Sequence, residues 1–142
     1  MLRNYSQDIL DLFVRAVKGN KVAFQTLMTT EKCPELAAFS NAIRGDVDAV
    51  MWLRAKAKEL WLMYVALDKN EPAFKKLQQK DDKFDICFVL ACRNSIAGKH
   101  WLSEQNYAHF LPVCEAIAKA LSTTNKERFL GWLYNGSVRK LH

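Results

Sequence analysis

AIRGDVDAVMWL, residues 42–53, begins with Ala42 and Ile43, reaches a turn pair at Gly45-Asp46, resumes with Ala49 and Val50, and closes on Leu53. The same order recurs on both sides of it. AVKGNKVAFQTL (16–27) runs Ala16, Val17, Gly19-Asn20, Ala23, Phe24 and Leu27. ALDKNEPAFKKL (66–77) runs Ala66, Leu67, Lys69-Asn70, Ala73, Phe74 and Leu77. A weaker fourth copy starts at Ala91, with Asn94-Ser95 in the turn, Gly98 for the second alanine, Lys99 at the next apolar position and Leu102 at the close. A fifth, ALSTTNKERFLGWL (120–133), needs two extra residues to reach Leu133. The starting alanines are 26, 24, 25 and 29 residues apart, and self-similarity at such a period marks a repeat architecture.

The residues of one copy dictate its structure. Upstream of each starting alanine lies a helical apolar face: Ile9, Leu12 and Phe13; Leu36 and Phe39; Leu60, Met63 and Tyr64; Ile86, Val89 and Leu90. Gly19 and Gly45 suit the left-handed conformation at a helix C-terminus. Asn20, Asp46, Asn70 and Ser95 are N-caps for the following helix, and Pro72 falls in a first turn, where its missing N–H costs little. Each unit therefore reads helix, tight turn, short helix, with small alanines where the two helices approach. One hairpin cannot bury both faces, whereas stacked neighbours can. Between Leu53 and the third unit, RAKAKELWLMYVA contains no Gly or Pro, so one continuous helix is expected there. Breaks are expected at Cys33-Pro34, Asp81-Asp82 and Ser122-Thr123-Thr124-Asn125. The expectation is an all-α α-solenoid of stacked hairpins, eight to ten helices in a single domain over residues 1–142.

With 142 residues, half of them apolar and a quarter charged, the chain has material for one domain and is not a disordered or low-complexity protein. No apolar stretch approaches the roughly 20 residues of a membrane helix. Asp8 and Asp11 interrupt the N-terminal apolar pattern, which argues against a signal peptide and for a cytoplasmic protein. Lys and Arg number 21 against 15 Asp and Glu, for a net charge of +6. The surplus lies in residues 72–142, scattered singly along amphipathic segments, and it favours acidic partners in general. Cys33, Cys87, Cys92 and Cys114 show no CxxC and no zinc-finger spacing with histidine. They read as reduced core thiols of an intracellular protein, a disulfide pair being the alternative.

The register of alanine, glycine three on, a polar residue four on, apolar residues seven and eight on, and leucine eleven on resembles the helical part of an ankyrin repeat. Ala42, Gly45, Asp46, Asp48, Ala49, Val50, Trp52 and Leu53 carry the likeness best. The family's threonine-proline-leucine-histidine opening is absent from every copy, and the period is near 25 residues instead of about 33. The missing residues correspond to the β-hairpin fingers. The resemblance thus implies a finger-poor ankyrin-like stack and, since ankyrin repeats are protein-recognition scaffolds, a protein partner without catalysis or cofactor. Small degenerate repeat proteins of this kind include host-directed proteins of intracellular bacteria and large DNA viruses.

Trp52, Trp101 and Trp132 each directly precede a closing leucine. They form either a row of aromatic anchors for a partner or filling between stacked helices; Trp61 belongs to a first helix and to the core. The inter-helix turns carry Lys18, Lys21, Arg44, Lys69, Arg93, Lys99 and Lys126 along one edge, interleaved with Asp46, Asp48, Asp68 and Glu71. The candidate partner-binding residues are Trp52, Trp101, Trp132, Arg44 and Lys69. Arg44-Gly45-Asp46 spells an adhesion tripeptide, but its glycine and aspartate already serve as C-cap and N-cap. Cys92 and His100 flank a turn, as a nucleophile and base would, without an identifiable orienting group. There is no glycine-rich phosphate loop and no metal-ligand spacing. Protein recognition is the leading expectation, nucleic-acid binding through the basic C-terminal half the second, and cysteine-dependent catalysis the third.

Overall fold

At Gly19 and Gly45 the backbone takes φ of 99° and 103°, the left-handed conformation that ends a helix. In this computed structural model, which describes residues 2–68 and 70–124, these glycines follow α1 (Gln7–Val17) and α3 (Pro34–Ile43). The closing hydrogen bonds correspond one to one. Gly19 N–H donates to the Ala16 carbonyl and Asn20 N–H to the Arg15 carbonyl, both at 3.0 Å; Gly45 donates to Ala42 at 3.0 Å and Asp46 to Asn41 at 2.9 Å. Asn94, with φ of 70°, repeats the pattern after α7 (Lys83–Cys92), where Asn94 donates to Ala91 and Ser95 to Leu90. Lys69, two positions beyond the end of α5 (Lys58–Leu67), lies outside the described residues.

The polar residue beyond each turn starts the next helix. Asn20 accepts from Ala23 N–H at the head of α2 (Lys21–Met28), and Asp46 from Ala49 N–H at the head of α4 (Val47–Lys56). Asn70 accepts from Ala73 N–H before α6 (Glu71–Gln79), and Ser95 from Gly98 N–H before α8 (Ile96–Glu104). Such caps are worth about 1 kcal/mol each. A 3-10 turn at Ala108–Phe110 then leads into a ninth helical stretch, α9, over 111–124. The described residues are thus all helical, without strands, and none of their helices is long and apolar enough to cross a membrane.

Two expected boundaries are wrong. The stretch after Leu53 is not one helix: at Ala57 the chain takes φ of −143° and ψ of 68°, and α4 ends where α5 begins. A straight continuation of α4 would carry residues 58–67 away from α3, whereas α5 packs on both α3 and α4. Residues 122–124, expected as a break, continue α9. The breaks at Cys33-Pro34 and Asp81-Asp82 are present, with Pro34 opening α3 and Asp82 capping α7.

α1, α3, α5 and α7 form a row, each touching the next, and α2, α4, α6 and α8 each pack on the helix before them. The row is parallel. Arg44, at the C-terminal end of α3, donates to the Val17 carbonyl at the end of α1 at 3.3 Å; Arg93, at the end of α7, donates through Nε to the Ala66 carbonyl near the end of α5 at 3.1 Å. At the opposite ends Arg3, ahead of α1, grips Asp82 at the head of α7 at 3.0 Å, and Tyr5 donates to Glu35 in the first turn of α3.

α9 runs across this row. Cys114 lies on the Phe88 carbonyl in α7, and ten residues later Thr124 donates to the Ile43 carbonyl at the end of α3. Its own Val113, Cys114, Ala116 and Ile117 are buried. The first helices are therefore covered on two sides, which is why α3, α5 and α7 are apolar nearly all round. The expected faces are correspondingly too narrow. Leu10, Phe84, Cys87 and Phe88 are buried, while Ile9, Leu12, Ile86 and Leu90 are half-buried. Phe84, Phe88, Tyr107 and Phe110 form an aromatic cluster, with Phe84 4.8 Å from Tyr107 and 4.9 Å from Phe110 between ring centres.

At Gly98 the two helices of a hairpin come into backbone contact. A Cβ there would lie 2.8 Å from the Cys87 carbonyl oxygen and 2.9 Å from the Ala91 nitrogen, both backbone atoms. Gly98→Ala is expected to lower unfolding free energy by about 1–3 kcal/mol, the cost of overpacking, despite alanine's better helix propensity. Urea unfolding of the two proteins measures it.

Candidate functional site

Three surfaces follow from this arrangement. The first is the outer face of α4. Its inner side, Ala49 and Leu53, is buried, so the helical period sends Val47 and Met51, one turn apart, outward together with Trp52. Val47 is 65%, Met51 64% and Trp52 37% exposed. Basic residues follow at Arg54 and Lys56, and the Arg54 guanidinium lies 5.6 Å from the centre of the Trp61 ring.

The second lies at the N-terminal ends of the parallel row, where Glu35, Glu59 and Asp85 come from the first turns of α3, α5 and α7. They share a cavity of about 140 Å³ with Tyr5. Asp85 is 5% exposed. Burial first, then the charges of Asp82 and Glu59, push its carboxyl up to about 6, against a smaller opposing pull from Arg3 and Lys80. Burial and the bond to Glu35 raise the Tyr5 hydroxyl in the same way. Among the described residues no cluster of histidine, cysteine and carboxylate side chains is arranged to hold a metal ion.

The third lies at the C-terminal ends. A cavity of about 460 Å³ opens between α9 and the ends of α1 and α3, lined by Lys18, Arg44 and Lys119, by Thr123 and Thr124, and by small apolar side chains. A companion of about 420 Å³ on the other flank of α9 is lined in part by Asp68 and Arg93.

The five sequence-derived residues part company here. Trp52 stands on the exposed face. Trp101 does not: it is half-buried against the core, and its ring stacks on Tyr107 at 6.1 Å and 20°. Arg44 lies at the basic cavity, its guanidinium also packed where a Cβ of Gly19 would be, at 2.8 Å. Trp132 and Lys69 lie outside the described residues, as do Lys126 and most of the fifth copy. Of the remaining turn-edge cations, Arg93 is committed to the Ala66 carbonyl, to Glu71 at 3.6 Å and to the face of Phe74 at 4.8 Å. Lys99 is held by Asn94 at 2.6 Å. Lys119 and the two threonines were missed, because nothing in α9's own pattern says which helix ends it crosses.

All four cysteines are free and buried. Burial, and then its neighbour Cys114, hold the Cys92 thiol well above the ordinary range. His100 is paired with Glu104 at 3.0 Å. A buried, protonated thiol is the opposite of an activated nucleophile. No protein-family model, curated protein or solved structure matches this chain.

The Asp85 shift has a measurable sign. Its protonated form is favoured in the fold, so its stabilising contribution is complete below the ordinary carboxylate range and is lost as pH rises through about 6. Asp85→Asn, which stays neutral, should gain about 2–3 kcal/mol over the parent between pH 4 and pH 7.5. Denaturant midpoints at the two pH values test it; an unchanged difference would show that Asp85 titrates alike in the folded and unfolded chain.

Proposed function

We propose that this chain is an intracellular protein-recognition module, a finger-poor stack of ankyrin-like helical hairpins that presents the outer face of α4 to a partner protein. The observation that carries the reading is the exposed trio Val47, Met51 and Trp52 on one short helix. Contiguous apolar side chains left in water mark interaction sites more often than isolated ones do. Tryptophan supplies binding energy out of proportion to its number, and methionine adapts its shape to a partner. The matching turns after α1, α3 and α7 support the repeat part of the reading. The cross-lying α9 occupies the inner side of the row, the side on which the ankyrin resemblance would seat a ligand. The reading therefore turns to the outer helices, with Trp52 as anchor and the Arg54 and Lys56 charges selecting an acidic rim.

Nucleic-acid binding is the second reading, favoured by the basic cavity at Lys18, Arg44 and Lys119. It requires retention that falls steeply with salt.

A photo-crosslinking residue at position 51, with a control at the exposed position 79, tests the first reading in cells. A discrete protein adduct from position 51 alone, reduced at least tenfold by Trp52→Ala with the helical content unchanged, is the expected result. Equal adducts from both positions, or indifference to Trp52→Ala, would refute it.

A further inference from the structure

We propose that the cavity between α9 and the ends of α1 and α3 binds a small phosphorylated molecule. Three independent elements supply its cations: Lys18 caps α1, Arg44 caps α3, and Lys119 projects from the middle of α9. Among the described residues no carboxylate lines the cavity, and none of the three cations forms an ion pair. On the other flank of α9 the pattern differs: Arg93 has its carboxylate partner in Glu71, and Asp68 lines the wall.

Two of these cations have a structural reason to be present, since a basic residue at a helix C-terminus offsets the dipole. Lys119 has none, because it lies mid-helix on a different element. The carbonyls that would repel an anion are already engaged: Val17 accepts from Arg44, and Ile43 accepts from Thr124. Only one guanidinium nitrogen of Arg44 is used in this way among the described residues. The rest of the fork is available for the bidentate contacts that phosphate oxygens accept. A phosphate monoester carries close to two negative charges at neutral pH and matches a threefold cationic lining. At about 460 Å³ the cavity falls in the size range of small-molecule sites and exceeds a bare phosphate. Val17, Ala116 and Ala120 offer an apolar wall for the carbon skeleton. The site is independent of the α4 surface.

Calorimetric titration of the full chain with ribose 5-phosphate, ribose and inorganic phosphate tests this assignment. Ribose 5-phosphate should bind saturably at one site, inorganic phosphate more weakly at the same site, and ribose not at all. Lys18→Gln and Lys119→Gln, both at exposed positions, should each weaken ribose 5-phosphate at least tenfold. Lys32→Gln and Lys76→Gln, equal in charge change and remote from the cavity, should leave it within twofold. Saturable binding of ribose, no saturable binding of either phosphate, or equal weakening by all four variants would overturn the proposal. So would a short single-stranded oligonucleotide that binds far more tightly and responds to Lys32→Gln and Lys76→Gln as strongly as to the cavity variants, since that would describe a surface tracking a phosphate backbone.

Discussion

Four helices side by side and pointing the same way set the terms for everything else in this protein. A helix carries roughly half a positive charge at its N-terminus and half a negative charge at its C-terminus. In an antiparallel pair these ends offset one another; in the row of α1, α3, α5 and α7 they accumulate. The chain answers at both ends. Arg44 and Arg93 lay guanidinium groups on the end carbonyls of the preceding first helix. Glu35, Glu59 and Asp85 occupy first turns at the opposite end, and Arg3 joins α1 to the cap of α7. Each contribution is of the order of 0.3–1 kcal/mol. Their placement puts carboxylates at one end of the row and guanidinium groups at the other, and the cavities at the two ends take ionisable walls from them.

The second constraint is burial of the row. Its helices need cover on more than one side, and α2, α4, α6 and α8 supply it only on one. α9 supplies the other, with Val113, Cys114, Ala116 and Ile117 buried along it. The aromatic cluster around Phe84 and Phe110 closes the end of the row where α9 departs. Surface left over after these demands is concentrated on the outer helices. There Val47 and Met51 have no structural duty comparable to that of Ala49 and Leu53 on the opposite side of the same helix.

Turns and caps were legible in the sequence because their causes are local. A glycine that reaches positive φ and an asparagine whose side chain meets the N–H three residues on act within half a dozen positions, so Gly19-Asn20 and Gly45-Asp46 can be read directly. The bend at Ala57 was not legible, since alanine favours helix and only the packing of α5 back against α3 and α4 requires the kink. Nor was the path of α9. An amphipathic pattern shows that a helix is covered, not what covers it, and so the meeting of Lys119 with Lys18 and Arg44 could not be anticipated. The phasing of the tryptophans was legible and their environments were not. Trp52 and Trp101 share a register position, yet Tyr107, from a turn with no periodic signal, stacks on the second alone.

α9 also acts as a ruler. From its contact with Phe88 in α7 to its contact with Ile43 at the end of α3 it advances ten residues, roughly 15 Å at 1.5 Å per residue. Two inter-helix spacings come to about 16–20 Å, which that rise covers once the Cys114 and Thr124 side chains reach beyond it. Inserting one more hairpin between α3 and α7 would widen that gap beyond its reach, and deleting one would leave it overhanging. An array that grows or shrinks by whole units thus loses one of these two contacts, so the number of hairpins from α3 to α7 is tied to the ten-residue spacing of Cys114 and Thr124 outside the repeating pattern.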